Sequence, residues 1–239
     1  MLEYFAGHEH AAPIFLVAIF FAATVLAMGC VLPAQNIFAA TGILAVFTAL
    51  TQTVGEKLHV PFGPFFYTEN LGRPLLYLVP WPIIILWPAV ILNSRGAVAL
   101  ILRHRRDAPS YGIFSMLLTC LLTVLFDAAL EPYAARTHHF WIWETQKPFL
   151  SWYSAPWFNF ASRFLITLIL LACAMPWLIN KKPVTNPPPD YFPLALWSGA
   201  MIFLIVANTT NHLWPAVILG AIITGAVTIL ALKNSRSPG

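Results

Sequence analysis

Apolar residues in this chain gather into runs long enough to cross a bilayer, separated by short polar, aromatic or proline-rich segments. A spanning helix needs about 20 mostly apolar residues. Runs of that kind occupy residues 13–32, 36–53, 74–92, 111–130, 156–179, 191–207 and 213–232. The pattern predicts an all-α fold: one transmembrane domain over residues 1–239, built as a polytopic bundle of seven helices. The first run follows Glu3 and Glu9 rather than a basic segment, and no small-residue cleavage pattern ends it. It is therefore read as a span and not as a cleaved leader.

Composition supports this. Hydrophobic residues make up 59% of the chain and charged residues 9%, against roughly 25% charged in soluble domains. The mean hydropathy is +0.74. So few charges cannot clothe a water-facing surface, and much of the exterior must face lipid. The net charge of +4 does not imply a nucleic-acid partner, because the 13 Lys and Arg form no stripe that would neutralise phosphates. They read as orientation signals. Arg103, Arg105 and Arg106 follow the third run, Lys181 and Lys182 the fifth, and Lys233 and Arg236 the seventh. All three segments fall on one side of a seven-span chain, which the positive-inside rule makes cytoplasmic. The N-terminus then faces outward and the C-terminus lies in the cytoplasm.

The outward connections, residues 54–73 and 131–155, are long and aromatic. They carry Phe62, Phe65, Phe66 and Tyr67 in one, and Phe140, Trp141, Trp143, Phe149, Trp152 and Tyr153 in the other. Long connections of this kind are commonly functional, and these are too apolar for disorder. They are expected to lie at the interface or fold back over the bundle. An interfacial aromatic belt explains the rings without chemistry. Pro80, Pro82 and Pro88 fall in the third run and predict a bend around an internal pocket. Pro187, Pro188 and Pro189 read as a stiff linker.

Several chemistries lack their residues. Cys30, Cys120 and Cys173 are far apart and read as small buried hydrophobes. Of His8, His10, His59, His104, His138, His139 and His212, no pair is three or four residues apart, which disfavours a membrane di-iron enzyme, and no metal site is assigned. No G-x-G-x-x-G motif supports a flavin or nicotinamide fold. No aspartate-rich diphosphate motif is present, and residues 213–232 contain no lysine for a retinal Schiff base. No cofactor is called for, and redox-neutral chemistry, or none, survives.

Nine acidic residues remain to be weighed. Glu3, Glu9, Asp107 and Asp190 sit at ends and cytoplasmic connections, where water solvates them. Glu56, Glu69, Asp127, Glu131 and Glu144 share the outward side. Asp127 and Glu131 stand four residues apart on one helical face, at the end of the uncharged run 111–126 and just before Pro132. Ionisable groups at that depth are candidates for function. Two such carboxyls set a proton donor beside an acceptor, as acid–base catalysis requires. The structural alternative is a salt bridge to Arg136 or Arg163.

The stretch G-E-K-L-H-V-P-F-G-P-F-F-Y-T-E-N-L-G from Gly55, continuing through Val79, Pro80 and Trp87, and the stretches D-A-A-L-E-P from Asp127, W-I-W-E from Trp141 and W-Y-S-A-P-W-F-N-F from Trp152 carry a resemblance. Together they resemble the carotenoid biosynthesis membrane proteins of bacteria and archaea, a family that includes carotenoid 1,2-hydratases such as bisanhydrobacterioruberin hydratase. The resemblance covers residues 55–163; the ends match only as apolar spans. The chain departs from the family at Phe65, where a tyrosine is usual, and at Arg163, near which a tryptophan is usual. The first change removes a hydroxyl, and the second places a charge close to Asn159.

The resemblance implies a carotenoid end-group hydratase in a bacterial or archaeal cytoplasmic membrane, with a lipophilic polyene as substrate and lipid as surroundings. Hydration of an end-group alkene needs an acid, aromatic faces that stabilise a tertiary cation, and a base that activates water. Asp127 is the expected proton donor and Glu131 its partner, with Glu56 or Glu144 as alternative base. Tyr67, Trp87, Trp141 and Trp143 are candidates to line the cation's pocket, and Tyr153 and Asn159 to position water. Two alternatives stay open. One is a redox-neutral cyclase or isomerase; the other is a non-enzymatic seven-helix transporter or pigment-binding subunit. The oligomeric state is not legible.

Overall fold

A computed structural model describes residues 11–75, 79–144, 150–179 and 188–235. Seven helices in it are long and apolar enough to cross a membrane, and the chain is a multi-pass membrane protein. They are α1 (Ala11–Gly29), α2 (Ala34–Leu58), α3 (Trp81–Ile101), α4 (Tyr111–Glu131), α5 (Trp157–Leu178), α6 (Phe192–Thr210) and α7 (Trp214–Ser235). Outward side chains are large and apolar, Leu26 being 74% and Phe38 72% exposed, as lipid solvation permits. Central α3 packs against α1, α2, α4, α6 and α7, while α5 packs against α2 and α4.

The third span departs from its expected bounds. It begins at Trp81 rather than at residue 74, because Pro74–Leu75 (β2) pairs antiparallel with Val79–Pro80 (β3). It then runs to Ile101 through Asn93, Ser94 and Arg95, polar residues that the hydropathy pattern treats as an end. Inside protein Asn93 and Arg95 find partners: Asn93 Nδ2 donates to Thr24 Oγ1 of α1 at 2.6 Å and to Ala89 O at 2.9 Å. Arg95 Nη2 donates to Leu178 O at 3.0 Å. Of the three prolines, Pro80 precedes the helix and Pro82 lies in its first turn, where no donor is needed. Pro88 alone removes an internal hydrogen bond.

The second span also runs longer than expected, to Leu58, which puts Glu56 on a helix rather than in a loop. The cysteines divide. Cys120 is buried, whereas Cys30 and Cys173 are exposed, correcting their expected burial. Cys173 stands on an outward face of α5, where lipid keeps a thiol in apolar surroundings, and Cys30 lies in the turn after α1. Glu3, Glu9, His8, His10, Phe149, Lys181, Lys182, Pro187 and Arg236, weighed above from the sequence, lie outside the described residues.

At one end of the bundle Asn36 Nδ2 donates to Trp177 O (3.0 Å), Asn234 Nδ2 to Ile101 O (2.7 Å) and Tyr191 to Ser235 (3.0 Å). The basic turn Arg103–Arg105 sits there. At the other end the two aromatic connections fold back and pair. Phe65–Tyr67 (β1) runs antiparallel to Trp141–Trp143 (β4) with Phe65 opposite Trp143 and Tyr67 opposite Trp141.

Helices approach closely where side chains are small. A Cβ on Gly96 of α3 would overlap the Pro193 ring of α6. Gly96→Ala is expected to destabilise the bundle by about 1–3 kcal/mol through overpacking, measured as a lower denaturation midpoint in detergent. An unchanged midpoint would show that α3 and α6 can separate freely.

Candidate functional site

Strand alternation begins the site. Successive side chains of a strand face opposite ways, so in F-F-Y and W-I-W the outer residues share a face. Phe65 and Trp141 are buried and Tyr67 and Trp143 half-buried, while Phe66 and Ile142 are exposed. The inward indoles meet one carboxyl. Trp141 Nε1 donates to Glu131 Oε1 at 3.0 Å and to Oε2 at 3.2 Å, and Trp143 Nε1 donates to Oε1 at 2.6 Å. These N–H groups thus have a specific acceptor in the protein, which a membrane belt does not require.

One turn earlier on α4, Asp127 meets a charge. Arg163 Nε of α5 lies 3.2 Å from Asp127 Oδ2, with the aspartate wholly buried and the arginine 12% exposed. Of the two arginines open to the carboxylates from sequence, Arg163 is therefore the partner. Arg136 instead donates to Tyr153 O at 2.7 Å. The Arg163 guanidinium also lies 4.0 Å from the centre of the Trp87 ring and 4.8 Å from that of Phe62. Trp87 therefore offers its face to a protein cation already.

The C-terminal part of α4 is shaped by Pro132. Proline has no N–H for the carbonyl four residues back, which belongs to Ala128. Trp152 Nε1 donates there instead, at 2.8 Å. The chain then widens into a π turn over Pro132–Thr137, and Asn208 of α6 donates to Ala129 O at 2.9 Å. Trp152 and Asn208 thus brace the backbone between the two carboxylates. Neither residue is marked for this task by its place in the sequence, although Pro132 signals that a carbonyl needs a donor.

On α2 the missed residue is Gln52, one turn before Glu56 on the same face and itself buried. The Tyr67 hydroxyl donates to Gln52 Oε1 at 3.0 Å, and Tyr67 N–H donates to Glu56 Oε1 at 3.1 Å. Burial pushes the Tyr67 phenol far up; Arg163 opposes this, and the charges of Glu56, Asp127 and Glu131 add to it. The phenol stays neutral and donating, within electrostatic reach of all four groups. A polar residue amid the apolar run 36–53 was the signal that could have found Gln52.

Several buried polar atoms at this centre have no protein partner among the described residues: Asp127 Oδ1, both amide atoms of Asn159, and Trp87 Nε1. Asn159 is one turn from Arg163 on α5, with no exposed surface. The structure therefore gathers Asp127, Glu131, Tyr67, Trp87, Trp141, Trp143 and Asn159, together with Arg163 and Gln52, between α2, α3, α4 and α5. Glu56 stands at the edge through its bond to Tyr67. Two candidates fall outside. Glu144 is exposed, and its N–H donates to Pro64 O at 3.0 Å. The Tyr153 hydroxyl accepts from Ala216 N–H of α7 at 3.3 Å, away from the carboxylates.

Chemically, the centre offers two carboxyls with unlike partners, one facing a guanidinium and the other neutral indoles, walled by aromatic rings. Among known proteins, bisanhydrobacterioruberin hydratase of Haloarcula japonica is 30% identical over 122 residues, covering 51% of this chain and 39% of that protein's length. No solved structure matches. The family model of carotenoid biosynthesis proteins matches residues 12–227, nearly the whole bundle and every residue of this centre, and the chain belongs to that family.

Proposed function

We propose that this carotenoid biosynthesis protein is an enzyme that adds water to a terminal carbon–carbon double bond of an acyclic carotenoid, with Glu131 and Asp127 as acid and base. The observation that carries the reading is the pair of buried carboxyls one turn apart with unlike partners. An ion pair favours the charged form of its carboxylate, so Asp127 beside Arg163 suits the base. Among the described residues Glu131 has neutral donors only, and its Oε2 accepts only the longer of the Trp141 contacts, which leaves that oxygen room for a proton. This reverses the division of roles expected from sequence.

In the proposed step Glu131 delivers its proton to the less substituted alkene carbon, and the π electrons form the new C–H bond. The tertiary cation left behind lies against the faces of Trp141, Trp143 and Tyr67. Asp127 Oδ1 and the Asn159 amide, buried and without protein partners among the described residues, hold the water. Its oxygen bonds to the cation while Asp127 takes its proton. Transfer from Asp127 to Glu131, about 6 Å along one helix, resets the site. The matched relative carries the name hydratase, which supports the same chemistry. The basic turn at Arg103–Arg105 supports a cytoplasmic position for the opposite end, in the cell membrane.

Expression in cells that accumulate an acyclic carotenoid is expected to yield pigment heavier by one water, read by mass spectrometry. Unchanged mass with an altered absorption spectrum would replace hydration by cyclisation or isomerisation. Unaltered pigment would favour a non-enzymatic role.

A further inference from the structure

A second feature lies across α3 and α4 from the carboxylate centre. A cavity of about 340 Å³ lies between α1, α3, α4 and α6, with Leu71, Phe140 and Trp141 lining its loop end. On α1 its lining runs from Pro13 to Ala23, about 15 Å along the helix axis. Among the described residues, none that lines it is charged. At its rim Leu16, Ile19 and Phe203 are 44%, 49% and 41% exposed, so the cavity is reached from the lipid side. One side chain belongs to both places: the Trp141 ring lines the cavity while its N–H bonds Glu131.

We propose that this cavity is the groove that holds the hydrocarbon chain of an acyclic polyene, entered sideways from the bilayer between α1 and α6. The inference rests on the proposed action on a carotenoid. Three properties select the occupant. The groove is elongated, as an extended polyene is. Among the described residues its lining offers no cation or anion to a phospholipid headgroup, so charge complementarity favours an uncharged hydrocarbon. Its loop end meets Trp141, which places the end of a bound chain beside the carboxyl that would protonate it.

Gly199 provides a clean test, because a Cβ there meets nothing within 4 Å and would project into open space. Gly199→Leu on α6 and Ala23→Leu on α1 fill the groove from opposite walls. Gly225→Leu on α7 is the control, since its Cβ also meets nothing within 4 Å and it does not line the cavity. The probe is lycopene, titrated into the full chain in phospholipid discs, where lipid tails compete in excess. Binding is read as quenching of tryptophan emission. The groove-filling variants are expected to weaken binding by about tenfold or more, with Gly225→Leu binding like the parent. Parent-like binding in both groove variants would overturn the groove, as would equal weakening in Gly225→Leu or an absence of binding by the parent. The hydration reading is judged separately, by product mass: normal binding without a hydrated product would sink hydration and leave the groove standing.

Discussion

Glu131→Gln is expected to reduce formation of the hydrated product by about 10²–10⁴-fold, the range general acid–base catalysis contributes, while protein level stays at that of the parent. Glutamine retains an oxygen that accepts from Trp141 or Trp143, so the strand pair β1–β4 remains anchored and the loss falls on chemistry. What disappears is the oxygen that carries a transferable proton. Asp127→Asn is expected to lose activity to a similar extent, because the amide cannot take a proton from water. The measurement is turnover of an acyclic carotenoid in membranes, normalised to protein amount and followed by product mass. Full activity in both variants would remove the acid–base assignment altogether. Loss in Asp127→Asn alone would shift the chemistry to one carboxyl and reduce Glu131 to an anchor for the indoles.

Arg163→Leu is expected to destabilise the bundle by about 3–5 kcal/mol, the loss found when one partner of a buried ion pair is removed. Leucine approximates the volume but leaves Asp127 Oδ2 without its partner in a wholly buried site. It also removes the cation from the faces of Trp87 and Phe62. The double variant Asp127→Asn/Arg163→Leu is expected to recover more than half of the lost stability, because no uncompensated charge remains, yet to stay inactive. Denaturation midpoints of the four proteins in one detergent form a double-mutant cycle that isolates the pair. Additive effects would mean that the two side chains do not interact energetically. Arg163→Lys is expected to fall between, since a lysine keeps the charge but loses the planar stack on Trp87.

The site was readable from sequence where its members are neighbours along the chain. Asp127 and Glu131 stand out because α4 is otherwise uncharged and a separation of four puts them on one face. The W-I-W alternation sends Trp141 and Trp143 the same way once a strand is assumed. Their target was hidden, because Glu131 lies ten and twelve residues back and the link requires β4 to fold onto β1. Arg136 and Arg163 were equivalent on spacing; the packing of α5 against α4 selects Arg163. Trp87 looked like a surface for a substrate cation until α5 brought a guanidinium over it. Gln52 and Asn208 gave weak signals, since single amides in apolar helices reveal a need for partners but not who they are.

The sequence by itself determined the class of this protein: seven apolar runs, too few charges for a water-facing surface, and a carboxylate pair ending the fourth span. Those follow from composition and helical period, which act locally. Only tertiary structure decided where α3 begins, because the Pro74–Leu75 segment becomes a strand when Val79–Pro80 pairs with it. Only tertiary structure distinguished the carboxylates, through a guanidinium from α5 and indoles from a folded-back loop. The groove is likewise a product of packing. Its walls come from α1, α3, α4 and α6, helices far apart in the chain, and the space left between them depends on how they pack.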